Sequence, residues 1–485
     1  MDSIDLIARV YPVLHATEQA QRGIKSSKRC VLPRIEAEAQ DQRDRHGRGL
    51  TEQPEDRDSS AYSYLPCVEL RFSDIPRTKH GLIFGCDPKS DVVLPNRKGI
   101  SYHHFTLTFD DTNRLIVKDW GSLWGTEVVY SDEGHGKRRN FQWIVSSPGI
   151  PSRVKRILVK VDESVQFEVV GIRYDITSQA YIDKVDRFRK GAAPAEELFD
   201  DLDLPPRADT ELPTVAHTPG TGAIYLSKEL GRGAFAIVTH FWDVSTGEDH
   251  ALKAPYGEFD VDAWTKEARI MGQISHKDRI VRLLGACFTP RPQLYLEYVP
   301  GGSLEDQENI SGDETISILR QCLSALTYLH GKDPQIAHRD IKPNNIFVQQ
   351  RYPGSIYVKL GDFGLSKDSE YLKSICGTRQ YLAPEIYTKA ISKGRGPRSY
   401  TIAVDIWSLG VVACGLICGL PRYRVIYGQG GTAWGELIVN RLVEDFEKRP
   451  NQLTRFLLDA MVVIPPASRW SAKDCSIKLS FSRTQ

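Results

Sequence analysis

Two short polar motifs constrain this 485-residue chain more than any other feature. The first, His338–Asn345, reads His-Arg-Asp-Ile-Lys-Pro-Asn-Asn. The second, Asp362–Gly364, reads Asp-Phe-Gly and begins 17 residues after Asn345. Carboxylate and amide oxygens suit a hard cation, and a lysine suits a phosphate. A lone His-Arg-Asp is typical of a charged surface turn. The longer pattern is more specific, because it offers a carboxylate to a hydroxyl, a lysine to a phosphate and an amide to a metal within six residues of Asp340.

Three further features precede these motifs. Leu230–Val238 reads Leu-Gly-Arg-Gly-Ala-Phe-Ala-Ile-Val, and its two glycines allow backbone N–H groups to approach a phosphate closely. Lys253 lies on a predicted strand, and Glu267 lies on an amphipathic helix predicted over Asp262–Ile274. The segment Leu294–Gly302 predicts a strand that ends at a Pro-Gly-Gly break.

Three more features follow the two polar motifs, at Ala383–Glu385 (Ala-Pro-Glu), at Asp405–Gly410 and at Arg469. The ordered set from Gly231 to Arg469 resembles the catalytic domain of the serine/threonine protein kinases. The resemblance implies a bilobal α+β fold, ATP as substrate and Mg²⁺ as cofactor. It also implies an ion pair between Arg469 and Glu385.

The resemblance assigns catalytic roles to individual residues. Asp340 is expected to receive the substrate hydroxyl, and Lys342 to neutralise charge on the transferred phosphate. Lys253 is expected to hold the ATP phosphates and to pair with Glu267. The expected metal ligands are Asn345 and Asp362. The residues expected to cover the nucleotide are Leu230, Gly231, Arg232, Gly233, Ala234, Phe235, Ala236, Ile237 and Val238, with the backbones of Glu297 and Val299 at the adenine and Leu296 as gatekeeper.

Two positions indicate the acceptor class. Lys342 and Thr378 both match residues typical of serine/threonine kinases, and Thr378 is expected to contact the catalytic loop. Ser374 lies four residues before Thr378, where a phosphate would meet Arg339 in a charge-assisted contact. We therefore expect Ser374 to be regulatory, with an ordinary serine in an exposed loop as the alternative.

The region before the catalytic domain alternates short apolar runs with turns, which predicts an all-β sandwich. The predicted strands are Cys67–Phe72, Phe105–Phe109, Leu115–Lys118, Phe141–Val145, Ile157–Val161 and Val165–Val170. Phe84–Pro95, Ile100–His104 and Asp119–Thr126 resemble the three motifs of a forkhead-associated (FHA) domain, which binds phosphothreonine peptides.

The FHA resemblance assigns Ser101 to the phosphate and His104 to bracing of the binding loops. Two residues depart from the family pattern: Cys86 replaces an arginine, and Trp124 replaces an asparagine. Loss of the arginine removes a charge-assisted contact worth about 1.5–3 kcal/mol. Two alternatives therefore stay open, retained phosphothreonine binding and a structural or protein-docking role.

Together, the patterns predict a multidomain chain. Residues 1–60 are expected to be disordered, 61–180 to form the FHA-like sandwich, 183–222 to be an acidic linker and 223–480 to be the kinase domain. The net charge of +1 gives no indication of nucleic acid. No signal peptide or spanning segment is evident, and the nine cysteines are scattered. We therefore expect no membrane association and an intracellular location, in cytoplasm or nucleus.

The whole chain resembles FHA-domain-containing serine/threonine kinases of the checkpoint and calmodulin-kinase-like group, of fungal type. The resemblance implies transfer of the ATP γ-phosphate to protein serine or threonine, with partners recruited by the FHA-like domain. The alternative is a pseudokinase scaffold that binds ATP and partners without turnover.

Overall fold

The computed structural model describes residues 5–13, 18–33, 65–191, 223–233, 235–274, 278–368, 378–386, 401–423 and 431–481. The chain divides into two compact units. The first comprises Met1–Ser227 and Phe241–Glu248, and the second comprises Lys228–His240 and Asp249–Gln485. No helix among the described residues is long and apolar enough to cross a membrane.

The first unit is a β-sandwich. Its strands are β1 (Leu6–Pro12), β2 (Cys30–Val31), β3 (Cys67–Arg71), β4 (Leu82–Gly85), β5 (Val92–Val93), β6 (Phe105–Phe109), β7 (Leu115–Asp119), β8 (Glu127–Tyr130), β9 (Glu133–Gly134), β10 (Gln142–Ser146), β11 (Ile157–Asp162) and β12 (Val165–Gly171). One sheet has the order β2-β3-β1-β12-β11-β8-β9, and the other has the order β10-β7-β6-β4-β5. The six predicted strands are confirmed to within a residue at each end.

The two sheets bury an aromatic core between them. Phe84 and Phe105 stack with ring centroids 4.4 Å apart, and Phe167 meets Phe84 edge to face at 5.4 Å. These three side chains are at most 1% exposed. Such pairs stabilise the sandwich by roughly 0.5–1.5 kcal/mol each beyond the area that they bury.

The prediction that residues 1–60 are disordered is wrong for part of that segment. The strand β1 lies between β3 and β12, antiparallel to both, and Val10 pairs with Val68 and Val169. A helix, α1 (Glu18–Ser26), and strand β2 follow it. The largely apolar run Leu6–Val10 is typical of a strand. Residues 1–60 taken together are mostly polar, and the prediction of disorder rested on that overall composition. The partners of β1 lie far along the chain, so no local signal indicates them.

The predicted linker also begins too early. A helix, α2 (Gln179–Lys190), continues past residue 183 and buries Tyr181, Val185 and Phe188 in the core of the sandwich. These side chains recur at helical spacing, three to four residues apart. The rest of the predicted linker, 192–222, lies outside the described residues.

The first unit also includes Phe241–Glu248, which the sequence places inside the predicted kinase domain. Trp242 is fully buried there and meets Tyr130 edge to face, with ring centroids 5.9 Å apart. The backbone N–H of Ile144 donates to the carbonyl of Val244 at 2.8 Å. No sequence pattern predicted this packing.

The second unit has a five-stranded sheet and a mainly helical part. The sheet has the order β13 (Tyr225–Arg232), β14 (Ala236–Asp243), β15 (Asp249–Pro255), β17 (Gln293–Leu296) and β16 (Leu283–Cys287). The helices are α3 (Val261–Gly272), α4 (Gly312–His330), α5 (Ala403–Cys418), α6 (Gly431–Lys448), α7 (Gln452–Phe456) and α8 (Ala472–Phe481). Two short hairpins complete it, β18 (Ile336–Ala337) with β21 (Lys367–Asp368) and β19 (Ile346–Tyr352) with β20 (Ser355–Leu360).

Helix α5 is the centre of the helical part. Every residue from Val404 to Cys414 is buried, including the fully buried Trp407. The sequence predicts a buried helix here because the run Ile406–Leu420 is apolar all round. A helix buried on every side can hold other elements in fixed positions, and the candidate site depends on its first turn.

Helix α4 begins with a capping box. The hydroxyl of Ser311 accepts from the N–H of Glu314 at 3.2 Å, and the N–H of Ser311 donates to Oε2 of Glu314 at 2.8 Å. Arg351 of β19 donates to Oε1 of the same carboxylate at 2.7 Å. The hydrogen bond from Arg351 outweighs burial and holds the pKa of Glu314 at about 2.

We predict that Val10→Ala lowers the free energy of unfolding of the sandwich by about 1–3 kcal/mol, because two buried methyl groups are lost. Urea denaturation of the full chain measures this difference. Val170→Ala, at a position that is 40% exposed, is the matched control and should change stability little. Equal small effects at both positions would contradict the placement of β1 in the sheet.

We predict that Glu314→Gln lowers the free energy of unfolding by about 1–2 kcal/mol at pH 7. The carboxyl pKa is lower in the folded chain than its unfolded value of about 4.3, so the ionised group stabilises the fold above that pH. The difference between wild type and variant should therefore shrink as the pH falls from about 4.3 toward 2. Thermal melting across this range tests the expectation, and a difference independent of pH would refute it.

Candidate functional site

Asp340 lies at the centre of the predicted catalytic loop. Its Oδ2 accepts hydrogen bonds from Nζ of Lys342 at 2.8 Å and from Nδ2 of Asn345 at 3.0 Å. Its Oδ1 accepts from the N–H and the hydroxyl of Thr378, at 3.0 and 3.1 Å. Lys342 also donates to the hydroxyl of Thr378 at 2.9 Å. The predicted contact between Thr378 and this loop is confirmed, and the four bonds fix the orientation of the carboxylate.

A second carboxylate, that of Asp405 in the first turn of α5, binds the backbone of this loop. It is fully buried, and its oxygens accept from the backbone N–H groups of His338 and Arg339 at 2.9 and 2.8 Å. Nε2 of His330 lies 2.9 Å from Oδ2. Burial alone would raise the pKa of Asp405, but the contact with His330 outweighs it and lowers the pKa. The carboxylate therefore stays charged inside the fold.

Sequence reasoning did not assign this role to Asp405. The residue was placed at the start of a helix, and nothing in its neighbourhood indicates a contact with residues more than 60 positions earlier. Its effect is visible at Arg339, whose φ of 73° lies in the left-handed region. Non-glycine residues rarely adopt that conformation, and hydrogen bonds such as those to Asp405 are needed to keep it.

His338 joins the two polar motifs. Its Nε2 lies 3.0 Å from the carbonyl oxygen of Gly361, and its ring centroid lies 4.9 Å from that of Phe363. The hydroxyl of Ser366 donates to the carbonyl of His338 at 3.1 Å. Two motifs that are separate in sequence are thus one packed cluster.

Lys253, on β15, connects the sheet to Asp362 of the second polar motif. Its Nζ donates to Oε1 of Glu267 at 2.7 Å and to Oδ1 of Asp362 at 2.8 Å. The predicted Lys253–Glu267 ion pair is therefore confirmed. Burial lowers the pKa of Lys253, but the two carboxylates outweigh burial and raise it. A Cβ at Gly364 would lie 3.3–3.4 Å from polar atoms of all three side chains, so only a residue without a side chain fits there easily.

The residues predicted to hold Mg²⁺ have suitable donor chemistry. Burial raises the pKa of Asp362, but Lys253 outweighs it and holds the pKa at about 2, so the carboxylate stays ionised. The side-chain N–H₂ group of Asn345 donates to the backbone carbonyl and to Oδ2 of Asp340. The amide oxygen of Asn345 takes no part in those bonds. Among the described residues, no group of three or more His, Cys, Asp or Glu side chains could hold a metal. One carboxylate and one amide fit Mg²⁺, which commonly takes its other ligands from phosphates and water.

The residues expected to cover the nucleotide lie at the end of β13, at the start of β14 and between these two strands. Leu230, Gly231 and Arg232 end β13, Gly233 follows it, Phe235 precedes β14, and Ala236, Ile237 and Val238 begin β14. The N–H of Gly233 donates to the carbonyl of Ala236 at 2.8 Å, which closes the turn. Phe235, just before β14, is 77% exposed. Ala234 lies outside the described residues.

The predicted hinge follows β17. The N–H of Glu297 donates to the carbonyl of Arg282 at 2.9 Å. The contact of this backbone with an adenine stays a prediction. The side chain of Glu297 pairs with Lys359 at 2.5 Å and so points into the protein. Val299 is buried, and Leu296 is half-buried at the end of the strand.

The predicted Arg469–Glu385 ion pair is confirmed. Two guanidinium nitrogens of Arg469 donate to the two carboxylate oxygens at 2.6 and 2.8 Å. The Arg469 side chain is 0% exposed and also donates to the carbonyls of Val463 and Ile464. The pair fixes the end of the Ala-Pro-Glu motif to the helical part.

The regulatory prediction at Ser374 lies outside the described residues and stays a prediction. Arg339, its expected partner, donates through Nη1 to the carbonyl of Leu365 at 3.2 Å.

Ser101 and His104 lie at one end of the β-sandwich. Nδ1 of His104 accepts from the N–H of Ser101 at 3.2 Å, and its Nε2 lies 3.2 Å from the carbonyl of Gly125. Burial lowers the pKa of His104, so the ring is neutral and can accept at Nδ1 while it donates from Nε2. The hydroxyl of Ser101 accepts from the N–H of Leu123 at 2.9 Å. The two residues thus join the loops, as the resemblance implied for His104.

Asp119, the last residue of β7, has a role that sequence reasoning missed. Its carboxylate accepts from the backbone of Gly121 and Asn140, from the backbone and hydroxyl of Ser122 and from the hydroxyl of Thr126. A buried carboxylate with this many donors gives the loop one shape.

Comparison with known families gives two matches. The protein kinase domain model matches residues 225–478, which is just over half of the chain. The FHA domain model matches residues 82–138.

Individual protein kinases are similar to this chain over part of their length. A probable myosin light chain kinase of Dictyostelium discoideum is 33% identical over 263 residues, which cover 51% of this chain and 63% of the relative. The serine/threonine-protein kinase RAD53 of Saccharomyces cerevisiae is 27% identical over 416 residues, which cover 80% of this chain and 48% of the relative. The chain thus spans less than two thirds of the length of either relative.

One solved structure shows the same fold over nearly the whole chain. The crystal structure of Rad53 in complex with AMP-PNP matches with a TM-score of 0.52 and 21% identity, and the match covers 97% of this chain and 98% of that one. The prediction of an N-terminal FHA-like sandwich followed by a kinase fold is confirmed.

We predict that Glu385→Gln lowers the free energy of unfolding of the second unit by about 3–5 kcal/mol, because the buried charge of Arg469 loses its partner. Urea denaturation measures the loss. The matched control is Asp459→Asn, which breaks the exposed Arg455–Asp459 pair and should cost less than about 1 kcal/mol. Similar costs for the two variants would contradict a structural role for the buried pair.

Proposed function

Because the chain belongs to the protein kinase family, we propose that it transfers the γ-phosphate of ATP to serine or threonine hydroxyls of proteins. The observation that carries the proposal is the closed set of bonds around Asp340. Lys342 and Thr378, the two residues typical of the serine/threonine class, bond Asp340 and each other. Names of relatives, which include several serine/threonine kinases, support the same acceptor class.

The proposed roles follow from charge and position. Asp340 orients the acceptor hydroxyl and takes its proton as the new bond forms. Lys342 lies beside it and stabilises the negative charge on the transferred group. Lys253, kept charged by Glu267 and Asp362, binds the phosphates that stay on the nucleotide. When ATP binds, one of its phosphate oxygens takes the place of one present hydrogen-bond partner of Lys253 or Lys342.

We propose that Asp362 and the amide oxygen of Asn345 hold Mg²⁺. The bound cation would supply neutralising charge to the phosphates. Asp362 has φ 60°, a left-handed conformation that the neighbouring bonds maintain. This backbone places a charged carboxylate against Lys253 and, in the proposal, against the metal.

The pseudokinase alternative has no support in the described geometry. Each catalytic polar position is filled by a residue of the expected type, and the described side chains lie within hydrogen-bond distance of one another. Ala236 is the chief departure in the nucleotide loop, and alanine adds only a methyl group to the family's glycine.

We further propose that the FHA domain recruits protein partners to the kinase. The family predicts phosphothreonine partners, while a docking role without phosphate was the open alternative. Cys86, at the position of the family's phosphate-binding arginine, is only 7% exposed, and this supports the second. The proposed location is inside the cell, consistent with eight free cysteines among the described residues.

We predict that Asp340→Asn lowers transfer of phosphate from Mg-ATP to a Ser/Thr peptide library by about 10²-fold or more, because the proton acceptor is lost. ATP affinity should change less than about threefold, since Asp340 is not among the groups that hold the nucleotide. Radiolabel incorporation and a nucleotide-binding titration measure the two quantities.

Asp313→Asn, an exposed first-turn residue of α4, is the matched control and should leave both quantities unchanged. Absence of transfer by the wild type, after treatment with an activating kinase, would favour the pseudokinase alternative. Equal loss of ATP binding and transfer in Asp340→Asn would refute the assigned role.

A further inference from the structure

The loop end of the β-sandwich exposes three large apolar side chains on two neighbouring loops. Tyr102, Leu123 and Trp124 are 67%, 55% and 43% exposed. The loops are joined by the Leu123–Ser101 bond and by the N–H of Trp124, which donates to the carbonyl of Gly99 at 3.3 Å. Exposed apolar side chains on neighbouring loops are typical of a surface that binds another protein or a peptide. We call Tyr102, Leu123 and Trp124 the apolar loop patch.

Trp124 is fixed on the surface by its packing. A Cβ at Gly99 would lie 1.8 Å from Cδ2 of Trp124, so the indole lies directly on the backbone of this glycine. Gly99 has φ 96°, a conformation that side chains rarely adopt, and glycine is therefore required twice over. A rigid aromatic platform can bind a partner with little loss of side-chain entropy.

At the same loop end, the arginine with which the FHA family binds phosphate is replaced by another residue. Cys86 occupies the position of the family's arginine, is 7% exposed, and donates from Sγ to the carbonyl of Ile100. Arg97, a possible substitute, is committed to Asp162 and Ser164. Neither of these two positions therefore directs a guanidinium fork at the hydroxyl of Ser101, and a phosphate there would lack the bidentate contact that the family's arginine gives.

Two lysines lie beside the apolar loop patch. Nζ of Lys137 lies 5.2 Å from the ring centroid of Trp124, and Lys98 precedes the glycine on which Trp124 lies. Both are exposed, and neither pairs with an acidic side chain in the described part of the chain. A lysine ammonium group is a point charge on a flexible stem, so it can meet carboxylates at variable positions but lacks the rigid fork that an arginine offers to a phosphate.

We propose that this FHA domain binds an unphosphorylated peptide in which one or two large apolar side chains are flanked by carboxylates. The apolar side chains lie on the apolar loop patch, and the carboxylates lie near Lys98 and Lys137. Phosphorylation of the partner is not required. The kinase is thus brought to partners that carry a constitutive motif, and recruitment does not depend on another kinase.

Three fluorescent peptides titrated into the full chain test the proposal. The first is Gly-Asp-Glu-Phe-Leu-Asp-Glu-Gly, the second has Ser-Ser in place of Phe-Leu, and the third has phosphothreonine-Ser there. We expect the first to bind at least tenfold more tightly than the second and the third. Fluorescence polarisation at fixed ionic strength measures all three affinities.

Leu123→Ser should weaken binding of the first peptide at least tenfold. Its backbone N–H still donates to Ser101, so the melting temperature and the kinase activity should not change. Val170→Ser, an equally aliphatic position that is 40% exposed on β12, is the matched control and should bind as the wild type does. The control shows that loss of an exposed aliphatic side chain elsewhere is without effect.

Three results would overturn the proposal. Tightest binding of the phosphothreonine peptide would show that the phosphate site is kept. Equal binding of the first and second peptides would show that charge alone is read. Undiminished binding of the first peptide by Leu123→Ser would place its site elsewhere. None of these outcomes depends on whether the kinase is active.

Discussion

The buried carboxylate of Asp405 is the contact on which the candidate site depends. It lies on the most deeply buried helix of the second unit and accepts two consecutive backbone N–H groups of the catalytic loop. A charge inside a protein is stable only with several donors, so the loop cannot move away without a large cost. The rare backbone conformation of Arg339 is thereby kept, and Asp340 emerges in a defined direction. The chemistry at the surface thus rests on a bond in the core.

The same reasoning extends to the other buried charges. Lys253 is stabilised by two carboxylates on different elements, and Arg469 by Glu385 and three backbone carbonyls. Each network joins parts of the chain that are far apart in sequence. Such pairs add little net stability over apolar packing, but an unpartnered member is costly, and this makes the arrangement specific. In a phosphoryl-transfer enzyme, that specificity places charges where the transition state needs them.

In the β-sandwich, the residues that hold the loops match the family pattern, while two residues at the same end depart from it. His104 and Asp119 still hold the loops through buried, fully used polar groups. Two residues at this end depart from the family pattern: Cys86 turns inward, and Trp124 covers Gly99. The internal bonds set the shape of the loops, and in the proposed docking role the exposed side chains set selectivity.

Sequence alone determined the motifs, their order and the residue types at the catalytic positions, because phosphoryl transfer permits few alternatives. It also predicted six sandwich strands and the buried helix α5, where the periodicity is local. Tertiary structure alone decided that β1 belongs between β3 and β12, that α2 packs on the sandwich and that Asp405 holds the catalytic loop. These features depend on partners tens to more than a hundred positions away. A side chain's contribution there is set by what folding brings beside it, and no local pattern encodes that.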